Sequence, residues 1–316
     1  MIITMKDTET REISAKIDEL HEERGEAALG RVLTLLISTN ETELEHDLEI
    51  ANNASREHPC RVIAIEPSSR KANPEDEEHP TFLDAEIRFG SDAGAGEIIV
   101  LRPRGGLIRH ADTLVIPLLV PDTPVVAWWP NEAPANLSKD LLGSMASSRI
   151  TDAMHSSNPQ RTMDDLRRNR SSKDVDMSWT RLTVWRAMIA SMLDQPPHLP
   201  VSNVRVTGQK DYLPLDLLAA WLRLRLNVPV MIEEDPDATA VTGVYLTRGD
   251  GVLSLERPST DDGFAVISVP GQSPQTISVP ARTLEECLSE ELGRLYPDEI
   301  YNEVVSRGLE LVKPRQ

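Results

Sequence analysis

Between Val32 and Trp129 short apolar runs alternate with stretches of helical period, and this alternation restricts the fold more than any other feature. Val32 to Ile37 reads as a buried strand, and Glu41 to Arg56 as a helix with Leu44, Leu48 and Ala51 on one face. Arg61 to Ile65 is a further strand, ended by Pro67. Ala85 to Phe89 and Glu97 to Leu101 flank the glycine-rich stretch from Gly90 to Gly96 as a hairpin. After Gly105-Gly106 a helix is expected from Leu107 to Ile116, and then the strand Val125-Val126-Ala127, stopped at Trp128-Trp129-Pro130. Upstream, Ile13, Ile17 and Leu20 recur at helical spacing before a stop at Gly25, and the acidic, proline-rich stretch from Ser68 to His79 reads as an exposed loop. The order predicts an N-terminal α/β domain with a mixed sheet, residues 1–155. Gly94-Ala95-Gly96 is a fragment of a dinucleotide fingerprint, but it precedes a strand where a phosphate loop must follow one, so it is rejected.

The window from Pro121 to Arg186 concentrates the unusual residues, including four of the five tryptophans. Consecutive strand residues point to opposite faces, so Trp128 and Trp129 cannot enter the same side of one core; the second must meet another layer or a partner. In Ser148 to Ala153, Arg149 and Asp152 are three apart on an expected helix and share a face. Further on, Trp179, Leu182, Trp185, Ile189 and Leu193 form one apolar helical arc with Arg186 inside it and Arg181 among Val184, Met188 and Met192. A helix with no solvated charged face is buried on most sides, so its arginines need carboxylates, carbonyls or a partner. Asp152 is the natural internal candidate for Arg186. Between these clusters lies a polar stretch with Arg161, Arg167, Arg168, Arg170 and Lys173. It reads as a mobile basic connection, residues 156–177, with phosphate binding as the sharper alternative.

Beyond it, Val204 to Thr207 and Val228 to Glu233 are strands on either side of a helix with Pro214 in its first turn and Leu218, Trp221 and Leu222 inward. Val244 to Thr247 and Val252 to Leu255 make a hairpin around Arg248-Gly249-Asp250-Gly251, and Ile267-Ser268-Val269-Pro270 with Ile277-Ser278-Val279-Pro280 makes a second, kept at a sheet edge by its prolines. Thr283 and Glu286 form a capping box before a helix with Leu284, Leu288, Leu292 and Leu295 inward, and a last helix runs from Asp298 to Leu309. Residues 178–316 are therefore expected as a C-terminal α+β domain with an antiparallel meander and terminal helices.

A chain of 316 residues can hold two domains with a core in each. Net charge −18 and pI near 4.8 argue against a nucleic-acid partner, whose backbone demands a basic footprint. Cys60 and Cys287 are too few for a disulfide scaffold or a thiolate zinc site. Met1 to Asp7 has no basic region leading into an apolar core, and the run Leu114 to Val120 contains Pro117, so neither signal peptide nor membrane span is expected and the location is read as cytoplasmic. No nucleophile elbow, Walker loop, His-Glu-x-x-His or EF-hand spacing occurs. His110 with Asp112 suits helix capping better than base and orienter, and His58 with Cys60 supplies too few metal ligands. No catalytic, cofactor-binding or metal residues are assigned.

Several long stretches, in order, resemble one family: Arg31-Val32-Leu33-Thr34-Leu35, the segment Ser55 to Ile63 with His58-Pro59-Cys60, Pro117 to Asp122, Pro124 to Pro130, Arg149 to Ala153, Trp179 to Thr183 with Trp185-Arg186, and Glu286 to Leu292. The chain is similar over about 28–301 to the glucose-6-phosphate dehydrogenase assembly protein OpcA family. The resemblance implies a non-enzymatic protein that binds glucose-6-phosphate dehydrogenase and promotes its active oligomer, supporting NADPH supply through the oxidative pentose phosphate pathway. It lends no catalytic residues. Redox control is associated with some members, but two cysteines so far apart in sequence do not support a disulfide switch here. On enrichment of Trp and Arg at hot spots, Trp128, Trp129, Arg149, Asp152, Arg181 and Arg186 are the candidate partner interface. The competing class is a sensor or enzyme of sugar phosphate or nucleotide, using the basic connection.

Overall fold

The computed structural model describes residues 1–24, 32–67, 81–89, 96–257 and 263–313. The expected stop at Gly25, the loop from Ser68 to His79 and the turn residues Gly90 to Ala95 lie outside them. In chain order the elements run β1 (Ile2–Met5), α1 (Thr10–Arg24), β2 (Leu33–Ser38), α2 (Leu44–Ala54), β3 (Cys60–Ile65), β4 (Leu83–Phe89), β5 (Glu97–Pro103), α3 (Ala111–Val115), β6 (Val125–Trp129) and β7 (Ser148–Thr151). They continue with α4 (Pro159–Asn169), β8 (Asp174–Asp176), α5 (Met177–Thr180), α6 (Thr183–Leu193), β9 (Val201–Gly208), α7 (Leu213–Leu226), β10 (Val230–Glu234), β11 (Val241–Arg248) and β12 (Gly251–Glu256). Last come β13 (Phe264–Ser268), β14 (Gln275–Ser278), α8 (Leu284–Arg294), α9 (Glu299–Glu303), a π-helical turn (Val304–Gly308) and α10 (Leu309–Val312).

The chain forms two compact units, each discontinuous in sequence: 1–157 with 173–175 and 284–297, and 158–172 with 176–283 and 298–316. The stretch 156–177, expected as a connection, is thus divided between them, and α8 belongs to the first unit rather than to the second half of the chain.

The first unit is built on an eight-stranded mixed sheet in the order β1-β4-β5-β3-β2-β6-β7-β8. β5, β3, β2, β6 and β7 are parallel neighbours, while β4 pairs antiparallel with both β5 and β1. Leu35 sits opposite Val62 on one flank and Val126 on the other. Leu33, Leu35, Leu36 and Ile37 are all buried, so β2 reads as a continuous apolar run because both sheet faces are covered. α1 buries Ile13, Ile17 and Leu20 as its spacing predicts. His21 Nε2 lies 2.8 Å from the fully buried Glu97 of β5, which also pairs with Arg61 of β3. Arg61 donates onward to the Leu118 carbonyl at 2.7 Å, tying α1 and the segment after α3 to the sheet.

Two local expectations are corrected here. The helix expected from Leu107 to Ile116 is a 3-10 turn (Gly105–His110), then α3, then another 3-10 turn (Ile116–Leu118). The backbone leaves the helical region at His110 (φ −130°, ψ 33°), which separates the first turn from α3, and Pro117, with no N–H to donate, falls in the closing 3-10 turn. The helix expected around Arg149 to Asp152 is the strand β7, which lies parallel to β6 from Val126↔Ser148 to Trp129↔Thr151. Its β-branched Ile150 and Thr151 suit that buried ladder.

In the second unit a six-stranded sheet has the order β10-β9-β11-β12-β13-β14. β9 and β10 are parallel, joined across α7, and β11 to β14 form the expected antiparallel meander with β14 at the edge. α7 carries Pro214 in its first turn and ends at Asn227 in the left-handed conformation (φ 52°). Where one terminal helix is expected from Asp298 to Leu309, α9 and α10 are separated by the π-helical turn. Gly308 closes that turn against α7: a Cβ there would stand 3.0 Å from the Ala220 carbonyl oxygen. The basic stretch is helical as α4, held by Asn158, whose side chain accepts the Arg161 N–H at 3.0 Å, and by buried Met163 and Leu166.

Candidate functional site

The chain leaves β2 through α2 to reach β3 on one side, and later places β6 on the other. The carboxyl ends of β2 and β6 are therefore the point where the winding direction changes, the usual place for a cleft in an open α/β sheet. Thr39 follows β2, Asn131 follows β6 and Asp152 follows β7. Asp47, in the first turn of α2, is 1% exposed. The Thr39 hydroxyl donates to Asp47 Oδ2, and the Asn131 amide reaches the same oxygen at 3.4 Å. Burial pushes the Asp47 carboxyl up to about 6; the Thr39 bond, His46 and His155 pull it down, and Glu43 pushes it further up. Asp152 is also buried, with Oδ2 2.6 Å from Nδ1 of the half-exposed His155.

A buried carboxyl that titrates near neutrality and an imidazole oriented by a second carboxylate are the parts from which proton-handling sites are made. The same bonds also tie the start of α2 to the loop after β6. The turn between β2 and α2 is ill suited to a nucleotide phosphate. Asn40 Oδ1 already accepts from the Thr42 and Glu43 amides, at 2.9 and 3.1 Å, and the helix opens with Glu43, Glu45 and Asp47. Among the described residues no group of three or more His, Cys, Asp or Glu is placed to hold a metal ion, and no helix is long and apolar enough to cross a membrane.

Trp128, Trp129, Arg149 and Asp152 come together at this end of the sheet, and all four are buried. Trp128 lies in register with Ile37 and Ile150, while Trp129, on the opposite face, meets Gly143. Both sheet faces are covered, so each indole enters its own layer. Arg149 donates to Asp174 at 2.5 Å and to the Gly143 carbonyl at 3.2 Å. Because Arg149 is in a strand, it does not share a helix face with Asp152.

Arg181 and Arg186 lie in the second unit, each partly exposed. The Arg186 guanidinium stacks 3.7 Å from the Trp179 ring centroid and donates to the Thr183 hydroxyl at 3.0 Å. Trp179 donates to Asp298 at 2.8 Å, and its ring lies 6.1 Å from Tyr301. Along α4, Arg167 pairs with Asp164 and Glu310, and Arg161 and Arg168 pair with Asp165. Those three cations are balanced locally, so the phosphate site that is the alternative reading of this stretch is not assembled by them.

Sequence reasoning missed Asp47 although a signal was present: with Leu44, Leu48 and Ala51 it completes a helical apolar stripe that should hold no charge. His155, three residues after Asp152, gives no such signal.

The sequence matches two family models, one described as the glucose-6-phosphate dehydrogenase subunit N-terminal domain over residues 51–168, the other as the corresponding C-terminal domain over residues 172–305. No curated protein matches it. Similar solved structures include a candidate oxidoreductase from Magnetospirillum magnetotacticum MS-1, at 11% identity and TM-score 0.44 over 88% of this chain and 98% of that one. Another is an oxidoreductase from Sinorhizobium meliloti, at 10% identity and TM-score 0.47 over 89% and 95%. Likeness at that level lends neither description to this chain. The two family matches, in order and together spanning most of the sequence, place the chain in the OpcA family of glucose-6-phosphate dehydrogenase assembly proteins.

Proposed function

We propose that the protein is a non-catalytic partner of glucose-6-phosphate dehydrogenase that binds the enzyme, promotes its active oligomer and so supports NADPH production in the oxidative pentose phosphate pathway of the cytoplasm. The observation that carries this reading is that both family descriptions name a subunit of that enzyme, over residues 51–168 and 172–305. The acidic, glycine-free turn between β2 and α2 agrees with it, since it is a poor seat for a nicotinamide dinucleotide. The contact is proposed on the surface over the carboxyl ends of β6 and β7, where exposed His155 and Glu132 stand above buried Trp129, Arg149 and Asp152.

The test is a titration of purified dehydrogenase with the purified chain while NADPH formation is followed. The proposal expects a saturable rise in rate and no NADPH from the chain alone. Turnover of glucose 6-phosphate by the chain alone, or an unchanged rate at saturating chain, would overturn it.

A further inference from the structure

The six-stranded sheet ends at β10, and among the described residues no strand pairs with its outer side. On its inner side the Asp235 N–H donates to the Gly208 carbonyl at 2.8 Å, and the Pro229 carbonyl accepts from the Val204 N–H at 3.0 Å. Backbone groups alternate in direction along a strand, so Met231 and Glu233 also turn theirs toward β9. Val230, Ile232 and Glu234 therefore present N–H and C=O at the open edge, and an edge of this kind is a template for one more strand.

Each face of the sheet has a hollow beside that edge. In register with Val204 and Val206, Val230 and Ile232 lie on the apolar face, yet both are only half-buried. With Leu215 of α7 and Val312 of α10 they border a cavity of about 630 Å³, in which Asp216 is already held by Lys313 at 2.7 Å.

Glu233, in register with Thr207, lies on the opposite face. There a second cavity, of about 450 Å³, is lined by Glu233, Asp235, Glu256, Arg205 and Tyr245. Arg205 pairs with Glu233 at 2.8 Å and lies 3.9 Å over the Tyr245 ring. The Arg257 guanidinium is turned away from this face, toward the Val279 carbonyl and the Trp185 ring. Three carboxylates thus face the cation of Arg205, and the hollow favours positive charge.

We propose that the open edge of β10 receives an extended segment of a protein partner as an added strand, its residues alternating between apolar and basic. Apolar side chains opposite Val230 and Ile232 enter the hollow beside Leu215 and Val312. Lysine or arginine side chains opposite Met231 and Glu233 reach the carboxylates on the other face. Main-chain hydrogen bonds supply affinity, and the two hollows select the sequence. A second copy of this chain is disfavoured, because its net charge of −18 and the exposed Glu233-Glu234 at the end of the strand repel a like edge. The inference is independent of the contact with the dehydrogenase, and its test uses the full chain alone.

Fluorescence anisotropy is measured with two labelled synthetic peptides, Val-Lys-Val-Lys-Val and Val-Glu-Val-Glu-Val. The lysine peptide is expected to bind saturably and the glutamate peptide not at all. Glu233→Lys should weaken binding by about tenfold, since like charge then faces like, and Glu22→Lys, an equal change of charge at an exposed position of α1, should leave it intact. Should Glu233→Lys fail to fold, hydrogen exchange on the unaltered chain decides: the lysine peptide slows the amides of Val230, Ile232 and Glu234 and leaves those of Met231 and Glu233 unchanged. No binding of the lysine peptide, equal binding of the glutamate peptide, undiminished binding by Glu233→Lys, or exchange unchanged at the three outward amides would overturn the proposal. So would slowing of those amides in the peptide-free chain as its concentration is raised, which would assign the edge to a second copy.

Discussion

Asp47 is a carboxyl whose folded-state value, about 6, stands above its ordinary 3.8. A raised acid contributes stability that is fully present below its unfolded value and is lost as pH rises through the folded one. Asp47→Asn should therefore change little at pH 4 and stabilise the chain above pH 7, by at most about 3 kcal/mol at roughly 1.4 kcal/mol per unit. Paired melts across that range check it; a difference that does not change with pH would contradict the assignment to Asp47. Arg149→Met tests the other end of the site. It leaves Asp174 buried without its cation, a loss on the order of 3–5 kcal/mol, so the variant should melt well below the parent. Because Trp129, Arg149 and Asp152 are buried, their substitution is expected to lower stability along with activation, in contrast to the sparing of stability that an exposed interface implies. Sequence shows which side chains are unusual but not which layers close over them, and so the two indoles read as half available when both are enclosed.

Among the elements, those with long periodic patterns are legible: α1, α2 and α7, the parallel strands with continuous apolar runs, and the meander with its turn residues. β7 is not, because four residues carry too little period to separate strand from helix, and only pairing with β6 decides. The destination of α8 is also hidden. Its pattern shows that Leu288 and Leu292 face inward but not against what; in the structure α8 packs on α2 within the first unit, with Ser289 donating to Glu57 at 2.7 Å. A fragment cut at the boundary visible in sequence, 1–177, would expose that face of α2 and lose the burial of two leucines, about 1.5–3 kcal/mol each. It should lack a cooperative melt, and a transition near that of the full chain would contradict the packing. Hydrogen exchange on α4 separates a mobile connection from a docked helix: buried Met163 and Leu166 predict slow amides there, and exchange at loop rates would contradict it.

At the scale of the whole molecule, acidity and family membership point the same way. A chain of net charge −18 is poorly matched to nucleic acid, and its family is described by association with glucose-6-phosphate dehydrogenase. The overall architecture was readable because each half announces its sheet type; the partner was readable only through long residue stretches, since no constellation of reactive groups stands in the sequence. The candidate site required the fold, which alone brings Thr39, Asp47 and Asn131 to one point. The most direct measurement of the central claim is the mass distribution of dehydrogenase, at a dilution where it loses activity, with and without the purified chain, read beside its rate. The account predicts a new species containing both proteins, a shift of the enzyme to its larger form, and a rate that rises with the population of that species. Two proteins that remain separate while the enzyme's distribution and rate stay unchanged would contradict it.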